Sequence, residues 1–292
     1  MHLALCMRTD LAGWKIQNLT MLAFTTALPS EARPLIDAFR LKRIFHEAPF
    51  AIYQGDEVFL IVSGIGAVAS ACAVGFLRGQ MDAPAAWLNV GIAGHANLAV
   101  GEAMLANKIT DAAGGRNWYP PRVFPWTGRD GVLVTVPRPR SAYAAGEAYD
   151  MEAAGFYPAA CRFADAELVQ CLKIISDGPL SSASDLDKTA VANLVHGRME
   201  TVLQLAEILQ SLCAESAYDW PNSALYEKIL RQTRFSEAQK QQLKNHLRRL
   251  ALLAPQADVG AMISLTGAQS AGRILRRLEA RLGAASRDSG HG

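Results

Sequence analysis

The feature that most constrains this chain is a steady alternation of short apolar runs with amphipathic stretches, from residue 21 to about residue 212. Residues 21–27 form an apolar run, and Pro29-Ser30-Glu31 opens a helical pattern that continues through Leu35, Ile36 and Phe39. Residues 51–53 and 58–62 flank Gly55-Asp56 and predict a hairpin. Ser63-Gly64-Ile65-Gly66 then turns a strand into a small-residue helix over 67–77. Residues 86–90 read as the next strand, ending on Gly91-Ile92-Ala93-Gly94, and the Gly- and Pro-rich stretch 112–131 reads as loop. A strand over 132–136, a helix over 151–161, a strongly apolar strand over 168–175 and one long helix over 187–212 complete the pattern. Such alternation predicts an α/β fold: a mixed, largely parallel central sheet with helices on both faces.

After Trp220-Pro221 the strand signals stop. Ser236 with Gln239 predicts a capping box for a helix reaching about residue 253, and 267–282 reads as a second basic helix. The expected division is a main domain over 22–212 and a helical C-terminal extension over 213–292.

Composition narrows the function classes. Of 292 residues, 50% are apolar and 19% charged, which excludes wholesale disorder. The net charge of +2 exerts no global pull on nucleic acid, so nucleic acid is not an expected partner, although residues 236–292 carry nine basic against four acidic side chains. Basic helices of this kind usually present solvated faces. Five cysteines without a C-x-x-C pair read as reduced, buried thiols. No apolar run approaches the ~18 residues of a membrane span. The N-terminal Met1-His2-Leu3-Ala4-Leu5-Cys6 breaks at Arg8 and Asp10, too short for a signal sequence, and Met21 is a second candidate start. The expected setting is the cytoplasm, without a membrane partner.

Gly64-Ile65-Gly66-Ala67-Val68-Ala69 fits a dinucleotide-binding pattern, with Asp82 as the ribose-binding acid. The position is wrong, because that acid should end the following strand and Asp82 precedes it. What remains is a glycine turn at a helix N-terminus, where backbone N–H groups can hold an anion. No metalloprotease, serine-hydrolase or P-loop motif is present, and the six histidines are scattered, so no metal and no cofactor are expected. His95 reads as a loop histidine. Glu31, Glu152 and Asp177 each have an ordinary reading: a helix-start acid, an exposed helix position and an Asp-Gly turn. Together they fall at consecutive carboxyl edges of a parallel sheet, where open α/β folds bind ligands.

Ala27-Leu28-Pro29-Ser30-Glu31, Val62-Ser63-Gly64-Ile65-Gly66, Asn89-Val90-Gly91-Ile92-Ala93-Gly94, Tyr149-Asp150-Met151-Glu152-Ala153 and Ile174-Ile175-Ser176-Asp177 follow one another in an order that resembles the purine nucleoside phosphorylase/nucleosidase superfamily. The resemblance is nearest to the methylthioadenosine/S-adenosylhomocysteine nucleosidases and covers about 22–212. It implies that Glu31 holds or activates an attacking water, and that Met151 and Glu152 line and hydrogen-bond the ribose. It also implies that Asp177, with Ser176 beside it, protonates purine N7. Ser63, Gly64 and Gly91 are implied substrate contacts, the implied ligand is a small-molecule nucleoside, and a second copy of the chain is an implied partner as a homodimer. An aspartate can protonate a leaving purine near neutral pH only where burial disfavours its charge, and its place after the apolar 172–175 segment offers that burial.

The departures from the pattern concern the nucleophile and the base. Asn89 and Ile92 stand where phosphorylases carry an anion-binding arginine and serine, which favours water over phosphate. Lys173 replaces the nucleosidases' arginine, keeping charge but losing the fork. The segment 135–143, with Pro137, Arg138, Pro139 and Arg140, lacks the base-stacking phenylalanine. The expected activity is hydrolysis of the N-ribosidic bond of a purine nucleoside or 5′-modified adenosine. A phosphorylase using Arg138 or Arg140, and a non-catalytic nucleoside-binding or scaffold protein acting through its basic helices, are the alternatives.

Overall fold

The computed structural model describes residues 20–81, 83, 85–140, 143–178, 186–217, 223–253 and 270–288. Asp82, Trp220, Pro221 and the predicted helix start at 267–269 lie outside these residues. The strands are β1 (Met21–Thr26), β2 (Lys42–Ile44), β3 (Ala51–Gln54), β4 (Val58–Val62), β5 (Ala85–His95), β6 (Ala103–Asp111), β7 (Asn117–Trp118), β8 (Arg129–Thr135), β9 (Glu147–Asp150) and β10 (Val169–Asp177). The helices are α1 (Pro29–Ala38), α2 (Ala67–Arg78), α3 (Ala153–Ala160), α4 (Lys188–His196), α5 (Met199–Ala217), α6 (Ser223–Gln232), α7 (Glu237–Leu253) and α8 (Ala271–Asp288).

All ten strands belong to one sheet. Its centre, β4-β1-β5-β10, is parallel, and each of these strands is a near-continuous apolar run because helices cover both faces. All nine residues of β10 are buried. Helices α1, α4 and α5 pack together on one face, with α2 and α3 against each other on the opposite face. The sheet is mixed: among the described residues five pairings are parallel and five antiparallel, and the parallel ones are the longer. The antiparallel pairings come from β2-β3-β4 at one margin and from β6, β7 and β9, none of which the sequence pattern indicated apart from the β3-β4 hairpin.

Strand β5 organises the sheet by changing partners. Along one edge it pairs with β10 from Trp87 to Gly94. Along the other it pairs with β1 up to Asn89 and with β9 from Gly94 onward. Between these, residues 90–93 have no strand on that edge. Through β10, β6, β8 and β9 the sheet returns to β5 and closes into a five-stranded ring. The expected turn at Gly91–Gly94 is therefore the interior of an 11-residue strand.

Two other sequence expectations change. The helix over 187–212 is broken into α4 and α5 at Gly197-Arg198, where glycine is a poor helix former and the Arg198 side chain donates to the Gly101 carbonyl. Cys72 is exposed on α2, whereas Cys171 and Cys213 are buried; none of the cysteines among the described residues is in a disulfide.

The C-terminal helices carry their own apolar seam, built from Ile229, Leu243, Leu247, Leu250, Ile274, Leu275, Leu278 and Leu282. The capping box forms: Ser236 N–H donates to Gln239 Oε1 (3.0 Å) and Gln239 N–H to Ser236 Oγ (3.3 Å). Helix α7 docks through Asp165, which accepts from Gln241 Nε2 (2.8 Å) and Arg248 Nη1 (2.5 Å). No helix among the described residues is long and apolar enough to cross a membrane.

Gly155 fixes how closely α3 approaches α2. A Cβ there would stand 1.8 Å from the Ala67 carbonyl oxygen, so the contact requires glycine. Gly155→Ala is expected to push the helices apart and destabilise the protein by roughly 1–3 kcal/mol, the usual range for overpacking. Thermal and urea denaturation of the variant measure this directly.

Candidate functional site

The interval where β5 lacks a partner opens into a cavity of about 510 Å³. Its lining includes Glu31, Ile65, Ile92, Gly94, Arg140, Tyr143, Met151, Glu152, Ser176 and Asp177. Five of the residues singled out from the sequence, Glu31, Met151, Glu152, Ser176 and Asp177, thus meet in one concavity although they are spread over nearly 150 positions.

Glu31 lies in the first turn of α1, directly after β1. Its Oε2 accepts from the N–H groups of Ala27 and Leu28, both at 2.9 Å, so it satisfies donors that a helix start leaves open. Its Oε1 accepts from Ile92 N–H at 2.9 Å, the amide left free where the sheet parts. A carboxylate offers about four acceptor positions. Three are filled by backbone, and one remains for a ligand. Burial pushes the Glu31 carboxyl above its ordinary range, opposed by Lys173 and by the three backbone donors.

Lys173 occupies the middle of β10 with its side chain 1% exposed, and its Nζ lies 3.0 Å from Asp150 Oδ2. Burial alone would drive the ammonium down, but Asp150 and Glu152, followed by Cys171 and Glu31, hold it above its ordinary value. Asp150 is secured from every side: Oδ1 accepts from Thr135 Oγ1 (2.7 Å) and Oδ2 from Ala153 N–H (2.9 Å). Breaking a buried pair of this kind typically costs about 3–5 kcal/mol, because one charge is left uncompensated. Gly91 leaves room for the cluster. A Cβ there would lie 2.8 Å from Glu31 Oε1 and 3.3 Å from Lys173 Nζ.

Glu152 precedes α3. Its Oε1 accepts from Gly66 N–H (2.9 Å) at the N-terminus of α2, and its Oε2 from Met151 N–H (3.3 Å). Two acceptor positions stay open to the cavity. Burial, with Asp150 and Glu31 adding to it against Lys173, pushes its carboxyl up to about 7. At the far end Asp177 is 2% exposed. Its Oδ1 accepts from Ser176 Oγ (2.5 Å) and its Oδ2 from the Tyr143 hydroxyl. Burial and then the Asp177 contact raise the phenol, so it stays protonated.

No protein-family model and no curated protein matches the sequence. Solved structures do match. The apo 5′-methylthioadenosine nucleosidase of Arabidopsis thaliana aligns with a TM-score of 0.54 at 16% identity, covering 65% of this chain and 96% of that one. The 5′-methylthioadenosine/S-adenosylhomocysteine nucleosidase of Colwellia psychrerythraea, in complex with adenine, aligns at 0.51 and 19% identity, covering 66% and 96%. The S. pneumoniae nucleosidase with a transition-state inhibitor aligns at 0.50 and 20% identity, covering 66% and 99%. The fold is that of the methylthioadenosine/S-adenosylhomocysteine nucleosidases.

Within this nucleosidase fold, three sequence candidates stand outside the cavity lining. Ser63 donates to the carbonyls of Thr26 (3.2 Å) and Gly64 (2.7 Å), Gly64 sits at φ +80° in the turn before α2, and Gly91 lies behind Glu31. The glycine turn does offer an N–H to a carboxyl oxygen at a helix N-terminus, but that oxygen belongs to the protein's own Glu152. His95 is buried, and its Nδ1 accepts from the N–H groups of Asn97 (2.9 Å) and Leu98 (3.0 Å), so it organises the turn after β5. Sequence reasoning gave no role to Asp150, Tyr143 or Tyr149 and saw Lys173 only as a substituted arginine. A lysine amid the apolar 168–175 run was the available signal, since a charge there demands buried partners.

The raised Glu152 carboxyl has a sign that can be checked. Between its ordinary 4.5 and about 7 the folded protein keeps a proton there that the unfolded chain has released. Stability therefore falls as pH rises through that window. Glu152→Gln, which cannot ionise, should flatten the decline in Tm between those two pH values. A calorimetric pH series on both proteins measures it.

Proposed function

We propose that this chain is a nucleosidase that hydrolyses the N-ribosidic bond of a purine nucleoside or a 5′-modified adenosine. The observation that carries the reading is that Glu31, Glu152 and Asp177 are buried around one cavity with acceptor positions still open on the two glutamates. A domain that merely bound or scaffolded would gain nothing from desolvating three carboxyl groups there. The nucleosidase fold and the adenine-bound neighbour support the same class. We assign the activity to residues 22–212, and treat 213–292 as a helical extension docked on them.

In this reading Glu152 receives the ribose hydroxyls and Met151 packs against the sugar. Asp177, once protonated, donates its proton to N7 as the C1′–N9 bond breaks and the bond's electron pair passes to the purine. The sugar becomes oxocarbenium-like. Water held at the remaining position of Glu31 attacks C1′ and gives its proton to that carboxylate, which burial makes a better base than an exposed glutamate. Atoms balance as nucleoside plus water giving base plus free sugar, and both carboxyl groups reset by exchange with solvent. Lys173 opposes the rise that burial gives both glutamates, which favours the carboxylate form that serves as base.

Water is favoured over phosphate on specific grounds. Ile92 gives the cavity an aliphatic side chain where an anion would need a donor, and its N–H already donates to Glu31. The N-terminus of α2, the natural phosphate seat, donates its Gly66 N–H to Glu152. Release of base from a nucleoside panel, with phosphate titrated from zero, is expected to yield free sugar at a phosphate-independent rate. A phosphate-dependent rate yielding ribose 1-phosphate would replace this reading with a phosphorylase.

Asp177→Asn keeps the shape, requires one of the two neighbouring hydroxyls to turn and accept, and has no acidic proton for N7. General acid assistance is typically worth ~10²–10⁴-fold. The variant is expected to lose kcat within that range while its Tm stays close to wild type, and turnover near wild type would remove Asp177 from the acid role.

A further inference from the structure

The chain as a whole carries a net charge of only +2, yet the fold gathers cations on the outer face of one helix. Helix α8 buries Ile274, Leu275, Leu278 and Leu282 in the seam it shares with α7. Between residues 271 and 284 its exposed positions are Arg273, Arg276, Arg277, Glu279, Ala280 and Arg281. Arg273, Arg277 and Arg281 recur at every fourth residue, and Arg276 lies one turn after Arg273, so the four arginines share one face. Glu279 stands outside that arc, and its charge reaches His246 on α7.

The cations of α7 are placed differently. Arg248 meets Asp165, Lys240 meets Glu237, and the same glutamate also takes Arg78 of α2. The acids around the extension are therefore occupied within the protein. Arg273, Arg276 and Arg281 form no ion pair among the described residues. Like charges four residues apart weaken a helix, and a bound polyanion would reverse that effect. A membrane surface would call for apolar side chains beside the cations, but the isoleucine and leucines of α8 are all buried. A protein partner would call for an apolar interface centre, and the exposed positions offer only Ala280. A nucleic-acid backbone needs neither, because cations bind it by displacing counterions. Each strand of a duplex carries a phosphate about every 3.4 Å, and Arg273 to Arg281 span roughly 12 Å of helix axis, so the line faces several phosphates. The guanidinium fork also matches phosphate oxygens two at a time.

We propose that the outer face of α8, formed by Arg273, Arg276, Arg277 and Arg281, binds the phosphodiester backbone of a nucleic acid without reading its bases. Overall charge gave no reason to expect this partner. The structure supplies one by turning the apolar half of α8 inward and leaving the arginines together outside. The inference stands apart from the nucleosidase reading, since none of these residues lines the cavity.

The test uses the full chain and short fluorescent oligonucleotides of mixed sequence: single-stranded RNA, single-stranded DNA and duplex DNA. Anisotropy titrations run from about 50 to about 200 mM salt. Wild type is expected to bind with a Kd on the order of 10⁻⁶–10⁻⁴ M at physiological salt and to weaken steeply as salt rises. The combined variant Arg273→Gln, Arg276→Gln, Arg281→Gln should bind at least about tenfold more weakly, with a log–log salt slope shallower by about 2–3. Lysine at the same three positions keeps the charge and should retain most of the affinity. Arg40→Gln, Lys42→Gln, Arg43→Gln removes three exposed cations around β2 and should bind like wild type. Circular dichroism confirms that the variants are folded. A preference among the three probes supports the proposal and tells RNA from DNA. Absence of binding at the lowest salt, a glutamine variant of α8 that binds like wild type, or an equal loss in the β2 variant would overturn it. So would tighter binding to phosphatidylserine vesicles than to all three probes.

Discussion

The site depends on one buried ammonium. Lys173 sits in the centre of a strand whose other residues are all inaccessible, and water cannot solvate its charge. Its ion pair with Asp150 and the nearby Glu31 and Glu152 supply what water would have supplied. The exchange works in both directions. One cation facing three acids cannot neutralise them all, so burial raises Glu31 and Glu152 to an extent that the lysine limits but does not cancel. Buried glutamates raised above their ordinary range, beside a cation that opposes the rise, are the condition that acid–base chemistry needs.

The second constraint is topological. β5 must serve two neighbours on one edge, and the step from β1 to β9 leaves residues 90–93 with backbone groups that no strand satisfies. A buried amide cannot be left open without cost, and Glu31 fills the position at Ile92. The same step creates the cavity. An acid that would elsewhere be an ordinary helix-start residue is therefore turned inward and held by β1, α1 and β5 together. Gly91 and Gly155 permit these approaches, the first by leaving space for Glu31 and Lys173, the second by bringing α3 down on α2 so that Glu152 reaches Gly66.

The proposed chemistry differs from phosphorolysis for a reason that lies in these contacts. Backbone donors that could have bound phosphate are consumed by the protein's own carboxylates, Ile92 by Glu31 and Gly66 by Glu152.

Much of this was legible in the sequence. The parallel strands declare themselves because residues buried on both faces must be apolar throughout, and Glu31, Glu152 and Asp177 stand out as charges next to such runs. Ser236 and Gln239 announce the start of α7 because a capping box is a local interaction. What the sequence could not determine is whatever depends on partners distant in the chain. The short strands β6 and β9 carry little periodicity and exist because β10, β8 and β5 are there to pair with them. Gly91–Gly94 looks like a turn by composition, yet it is strand because β10 runs beside it and because a side chain at 91 or 94 would strike Glu31 or Tyr143. The position of Lys173 between its three carboxylates, and of Tyr143 on Asp177, was likewise decided by tertiary structure alone, since burial and charge pairing are properties of a place in the fold and not of any neighbouring residue in the chain.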